Sequence, residues 1–122
     1  QSVGGLTLGA DPIAYAIAYA SAASDRPIRA FTVRKETKAH GMGRLIEGPF
    51  QPGDTVAVIE DVITTGASAL KAAKAVSDAG GIIAGILALA DREEGGRETL
   101  EAEGFKVVAL TRASDIVARM ST

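Results

Sequence analysis

The chain has 122 residues, 47% of them hydrophobic and 23% charged, with a net charge of −2. That fits one small globular domain with a limited core, and nothing in the charge balance points to nucleic acid. Cysteine is absent, which excludes a disulfide-stapled fold and thiolate chemistry, and the longest apolar runs are broken by Gly, Asp or Arg well short of the about 20 residues that span a membrane.

In chain order, Gly4 and Gly5 predict an opening loop. Together with Gln1 in place of Met, they carry the expectation of a chain that starts inside a larger protein. "ADPIAYAIAYASAAS" reads as a helix with Asp11 as N-cap and Pro12 in the first turn. Tyr15 and Tyr19, four apart on that helix, read as packing against a core or an oligomer face. "PIRAFTV" (27–33) is a strand after a proline break. Residues 34–54 are polar and dotted with glycine, a long loop with a short strand near Leu45–Ile46. "TVAVIE" (55–60) is a buried β-branched strand, and "SALKAAKAVSDAGG" a helix stopped by Gly80 and Gly81. "IIAGILALA" (82–90) is the next strand, followed by a polar loop and a short helix stopped by Gly104. "FKVVAL" (105–110) is a strand, and Ser114 is read as the cap of a last helix, "DIVARM". Apolar strands alternating with helices predict an α/β fold: a mostly parallel sheet with helices on both faces, in one domain spanning 1–122. Ligands then sit at the carboxyl ends of the strands.

Three stretches fall at those ends. "ITTGAS" lies between a strand and a helix, where backbone amides and the helix dipole suit an anion. Gly66 permits the turn, and Thr64, Thr65 and Ser68 add hydroxyl donors. Alone, this is also how an ordinary capped turn reads. A P-loop is ruled out because no Gly-Lys-Ser/Thr follows, and "GMGRLI" lacks the third glycine of a dinucleotide fingerprint. Just before the loop stand Glu60 and Asp61, which suit ribose hydroxyls, water-held Mg²⁺ or positive charge developing on a sugar ring. A glycosidase pair needs two carboxylates facing each other across a bond, whereas strand neighbours point to opposite sides, so one of the two faces the ligand fully. The second stretch, "VRKETKAHGMGR" (33–44), holds Arg34, Lys35, Lys38 and Arg44 against Glu36, a local charge of +3. Such a run is ordinarily a solvated face, but a basic loop flanked by glycines also suits closure over a polyanion such as pyrophosphate. Lys38 and His40 can supply protons or positive charge to a leaving group. His40 is the sole histidine, so a zinc site is not expected. In the third stretch, "ADREEGG", Arg92 can fork onto a carboxylate or pair with Glu93 or Glu94 at the surface.

Taken together, "VAVIEDVITTGAS" resembles the phosphoribosyl-pyrophosphate (PRPP) signature of type I phosphoribosyltransferases, and "RKETKAHG" resembles the catalytic loop of the orotate branch. With "ADREE" the resemblance spans nearly the whole chain. It implies conversion of orotate and PRPP to orotidine 5′-monophosphate and pyrophosphate with Mg²⁺, a step of de novo pyrimidine (UMP) synthesis in a cytoplasmic homodimer. By position, Arg34, Lys35, Lys38 and His40 match residues on the pyrophosphate of PRPP, with the loop reaching into the neighbouring subunit. Lys38, His40 and Asp61 match the catalytic set. Glu60 and Asp61 match the ribose acids, the residues from Val62 and Ile63 through Thr64, Thr65, Gly66, Ala67 and Ser68 complete the PRPP site, and Thr64 and Arg92 match orotate contacts. Gly4 and Gly5 match the end of the pyrophosphate loop. The family's N-terminal hood segment and its Phe-x-x-x-x-Lys-Gly stretch are not in this sequence, and the first core strand reads as cut. The alternatives are a non-catalytic PRPP-binding module, a phosphoribosyltransferase for another base, or a structural fragment.

Overall fold

The computed structural model describes residues 1–36 and 44–120. Six strands form a single sheet: β1 (Ser2–Leu6), β2 (Arg29–Val33), β3 (Ile46–Glu47), β4 (Thr55–Ile63), β5 (Ile82–Asp91) and β6 (Val107–Arg112). The helices are α1 (Asp11–Ser21), α2 (Ala67–Asp78), α3 (Gly96–Ala102) and α4 (Ala113–Met120). The strand order is β3-β2-β1-β4-β5-β6. All pairings are parallel except the short β2–β3 ladder, Thr32 with Glu47 and Val33 with Ile46.

Alternation along the strands splits the core in two. On one face Val56, Val58 and Ile86 pack with Phe31 and the alanine face of α2, Ala69, Ala72, Ala73 and Val76. On the other, Val3 and Ile59 pack under α1 through Ala10, Ala14, Ile13 and Ile17. Alanine on both helices lets their backbones approach the sheet closely. The α1 face is only partly covered: Leu89, Val108 and Leu110 on β5 and β6 remain exposed. Tyr15 and Tyr19 are exposed as well, so of the two expected placements, core or oligomer face, the core does not hold.

Several boundaries differ from expectation. Gly4 and Gly5 lie inside β1, paired on one side with Phe31 and Thr32, rather than in an opening loop, and the first core strand is present. They are glycine because of close approach: a Cβ on Gly4 would lie 2.5 Å from the Phe31 ring, and one on Gly5 would meet the Ile59 carbonyl and, at 2.7 Å, Ala10 Cβ. Ala10, not Asp11, is the N-cap of α1, and no side-chain bond caps it. The helix α4 begins at Ala113. Ser114 is thus the second residue of the helix and not its cap, and its amide donates to the Glu93 carboxylate at 2.7 Å.

At the amino-terminal edge of the sheet Asp54 is buried and accepts from Arg29 (2.6 Å), Ser2 Oγ (3.1 Å) and the Gln51 amide (3.1 Å). This cluster joins the starts of β1, β2 and β4. The opposite, carboxyl edge carries the residues considered next.

Candidate active site

The chain runs outward from β1 to β2 and β3, then returns beside β1 as β4. A parallel sheet opens a crevice at the carboxyl edge where its order reverses in this way. Here β1 pairs with β4 only as far as Gly4–Val58, whereas β4 pairs with β5 as far as Ile63–Asp91. The end of β4 therefore projects past β1 into the crevice, and it carries the acid pair. Glu60 and Asp61 do not end the strand, which continues to Ile63.

The two acids occupy different surroundings, as alternation requires. Asp61 lies against the turn after β1: a Cβ on Gly9 would sit 2.6 Å from its carboxylate. Glu60 points the other way and is only 7% exposed. Each carboxylate is oriented by the next amide in the chain, Asp61 N–H to Glu60 at 3.1 Å and Val62 N–H to Asp61 at 2.8 Å. Burial, and then the neighbouring Asp61, push the Glu60 carboxyl up to about 7.

The anion loop follows at once. Gly66 is in the left-handed conformation, φ 91°, and is the N-cap of α2 with no side-chain cap. The first-turn amides of α2 have no intrahelical acceptor; among the described residues, Ala67 N–H alone is taken locally, by Thr65 Oγ1 at 3.3 Å. Thr65 and Ser68 are exposed and Thr64 half-buried, so amides and hydroxyls line one opening. Ile63 is 1% exposed and belongs to the core, whereas Val62 is partly exposed.

Arg34 and Lys35 root the basic loop on the same edge. The Arg34 amide donates to the Leu45 carbonyl at 2.7 Å, closing the neck of the loop. The Arg34 guanidinium pairs with Glu47 at 2.6 Å, and Lys71 of α2 donates to the Lys35 carbonyl. Lys38 and His40 lie outside the described residues. Arg92 follows β5, its amide bonded to the Ile63 carbonyl at 3.0 Å. Its exposed guanidinium pairs with Glu94 at 3.0 Å.

Sequence reasoning missed three parts of this edge. The turn facing Asp61 is Thr7–Ala10, after β1, not Gly4-Gly5. Asp11 accepts from Thr7 and Thr32 rather than capping its helix. Gly96, at the start of α3, backs the anion loop: a Cβ there would meet the Thr64 carbonyl, Ile63 Cγ2 at 2.6 Å and Gly66 N at 2.9 Å. The run "TLGAD" after an apolar pair was the one available signal for the first two. Gly96 had none, because its neighbours lie about thirty positions away along the chain.

No cluster of three or more metal-ligating side chains occurs among the described residues. Two carboxylates fit Mg²⁺ in the usual manner for that ion, with the remaining ligands supplied by water and substrate phosphates. Nor is any described helix long and apolar enough to cross a membrane.

No protein-family model matches the chain. It is 57% identical over 117 residues to orotate phosphoribosyltransferase of Aquifex aeolicus, covering 96% of this chain and 64% of that one. Against the Mycobacterium tuberculosis enzyme the identity is 52% over 114 residues, covering 93% and 62%. The crystal structure of the latter with PRPP superposes with a TM-score of 0.80 at 47% identity, covering 93% of this chain and 63% of that one. An adenine phosphoribosyltransferase of Thermoanaerobacter pseudethanolicus, 20% identical, shares the fold with a TM-score of 0.68. These likenesses show a type I phosphoribosyltransferase fold. Within that class, the homologues of this chain are orotate phosphoribosyltransferases. The chain spans about 60% of the length of these relatives.

Proposed function

We propose that the protein carrying this chain is an orotate phosphoribosyltransferase. It transfers the phosphoribosyl group of PRPP to orotate, giving orotidine 5′-monophosphate and pyrophosphate in pyrimidine nucleotide synthesis. We place it in the cytoplasm as a homodimer whose basic loop reaches the neighbouring site. The observation that carries this reading is the convergence, on one sheet edge, of the acid pair, the anion loop and the neck of the basic loop.

The 5′-phosphate is seated on the first-turn amides of α2 and the hydroxyls of Thr64, Thr65 and Ser68, where the helix dipole favours its charge. Glu60 and Asp61 accept from the ribose hydroxyls. As the bond from the anomeric carbon to pyrophosphate breaks, the ring becomes cationic, and the same carboxylates stabilise it. The electron pair leaves with pyrophosphate, whose growing charge is taken by Lys35, Lys38 and His40, and by Arg34 on release from Glu47. The orotate ring nitrogen bonds to the anomeric carbon and gives up its proton to water or the departing pyrophosphate, with Arg92 exchanging Glu94 for the orotate carboxylate. Glu60 and Asp61 would hold Mg²⁺ through water, and the ion would supply charge neutralisation for the pyrophosphate.

Consumption of orotate with PRPP and Mg²⁺ by the full-length protein is the expected result. Turnover of adenine or hypoxanthine instead would overturn the choice of base. Replacing Lys38 with Ala should lower kcat about 100-fold or more while ribose 5-phosphate affinity stays within about threefold; equal loss in both would remove Lys38 from the leaving-group role. Sedimentation as a monomer at micromolar concentration would overturn the dimer.

A further inference from the structure

The helix α2 carries two exposed lysines, and they are partnered differently. Lys74 pairs with Asp78 one turn along, at 2.9 Å. Lys71 has no acid within helical reach: the residues three and four away on either side are Ala67, Ser68, Lys74 and Ala75. Its ammonium leaves the helix instead and donates to the main-chain carbonyl of Lys35, 36 positions back in the chain. Lys35 lies past the end of β2 and is exposed. The residue before it is tied to the sheet by the Arg34 amide on the Leu45 carbonyl at 2.7 Å. Among the described residues, Lys71 is the one tie on the Lys35 main chain.

The two ends of this tie belong to different parts of the candidate site. Lys71 is one turn beyond Ser68 on the same face of α2, and the helix itself is anchored in the core by Ala69, Ala72, Ala73 and Val76. An element anchored in that way is a firm reference for a group on a loop. Lys35 stands where the chain leaves β2, and it is one of the cations that receive the pyrophosphate charge in the scheme above. An ammonium on a flexible four-carbon stem can reach from helix to loop and still point a donor at a carbonyl. The helix that opens with the anion loop and the main chain of a pyrophosphate-facing lysine are thus joined through a single side chain.

We propose that Lys71 is a positioning residue that sets Lys35 relative to the seat of the 5′-phosphate, so that one ligand meets both. It acts through the Lys35 main chain and not on the ligand. This rests on the phosphoribosyltransferase reading, and the test separates the two. Calorimetry on the full-length protein would measure PRPP, which has the pyrophosphate arm, and ribose 5-phosphate, which lacks it. Lys71→Met, which keeps the stem and removes the donor, should weaken PRPP by about 5- to 10-fold, the loss expected for one hydrogen bond. Ribose 5-phosphate should change by less than about twofold, and Lys71→Arg, which keeps a donor, should recover most of the PRPP affinity. In a Lys35→Met background, Lys71→Met should weaken PRPP no further. Equal weakening of both ligands, or an unchanged PRPP affinity, would overturn the proposal. So would a loss that adds to that of Lys35→Met, which would make Lys71 a direct contact of the ligand. A wild-type protein that binds ribose 5-phosphate but not PRPP would overturn the functional reading, and the positioning role with it.

Discussion

A carboxyl group buried beside a second carboxylate is difficult to ionise, and Glu60 shows how that couples the site to stability. Its folded-state value near 7 compares with an ordinary 4.5. Between these two pH values the folded chain keeps a proton that the unfolded chain has lost, so stability falls as pH rises through the window and levels off above 7. Glu60→Gln should remove that slope, gaining on the order of 1–3 kcal/mol at pH 8 relative to pH 5. Thermal unfolding of both proteins across pH 4.5–8 is the measurement, and parallel curves would show that Glu60 ionises freely. The sequence announced the acid pair and, from strand alternation, that its members differ in what they face. Which one is buried depends on the sheet around it, and so does the contact between Asp61 and Gly9.

The candidate anion loop has a second element packed behind it. Gly66 supplies the left-handed turn, and that much is legible in a Thr-Thr-Gly run between strand and helix. The turn is kept in place by the first residue of α3, since Gly96 has no room for a methyl group against Thr64 and Gly66. Gly96→Ala should push the loop outward, costing about 1–3 kcal/mol in stability and at least about 10-fold in ribose 5-phosphate affinity. An affinity unchanged in calorimetry would show that the loop holds its shape unaided. Among the elements, β2, β5, α2 and α3 stood in the sequence close to their observed limits, because β-branched runs and terminal glycines are local signals, whereas β4 runs on past Glu60 to Ile63. The first strand did not, because two adjacent glycines in a central strand look like a loop until Phe31 and Ile59 are placed beside them.

Across the whole molecule the two edges of the sheet carry different groups, a buried ion-pair cluster at the amino edge and the candidate site at the carboxyl edge. At the amino edge burial alone would raise the Asp54 carboxyl; the hydrogen bonds from Arg29, Gln51 and Ser2, together with the Arg29 charge, take it below its ordinary range. Its contribution is therefore present above about pH 4 and lost as pH falls through the depressed folded-state value. Asp54→Ala should cost about 2–4 kcal/mol, since it takes the carboxylate from Arg29, which keeps the Pro49 carbonyl, at the joint of three strands. It should leave PRPP affinity nearly unchanged below the melting transition. A large loss of affinity would mean that the two edges are coupled.

By itself the sequence determined the alternating α/β plan, the anion turn and the acid pair, because each is written within about a dozen consecutive residues. Only the tertiary structure decided that Gly4-Gly5 is strand and that Asp11 holds a turn instead of capping a helix. It also paired Arg34 with Glu47 and backed the anion loop with Gly96. Each of these depends on a contact made across the sheet or between neighbouring elements, and local patterns carry no record of such neighbours.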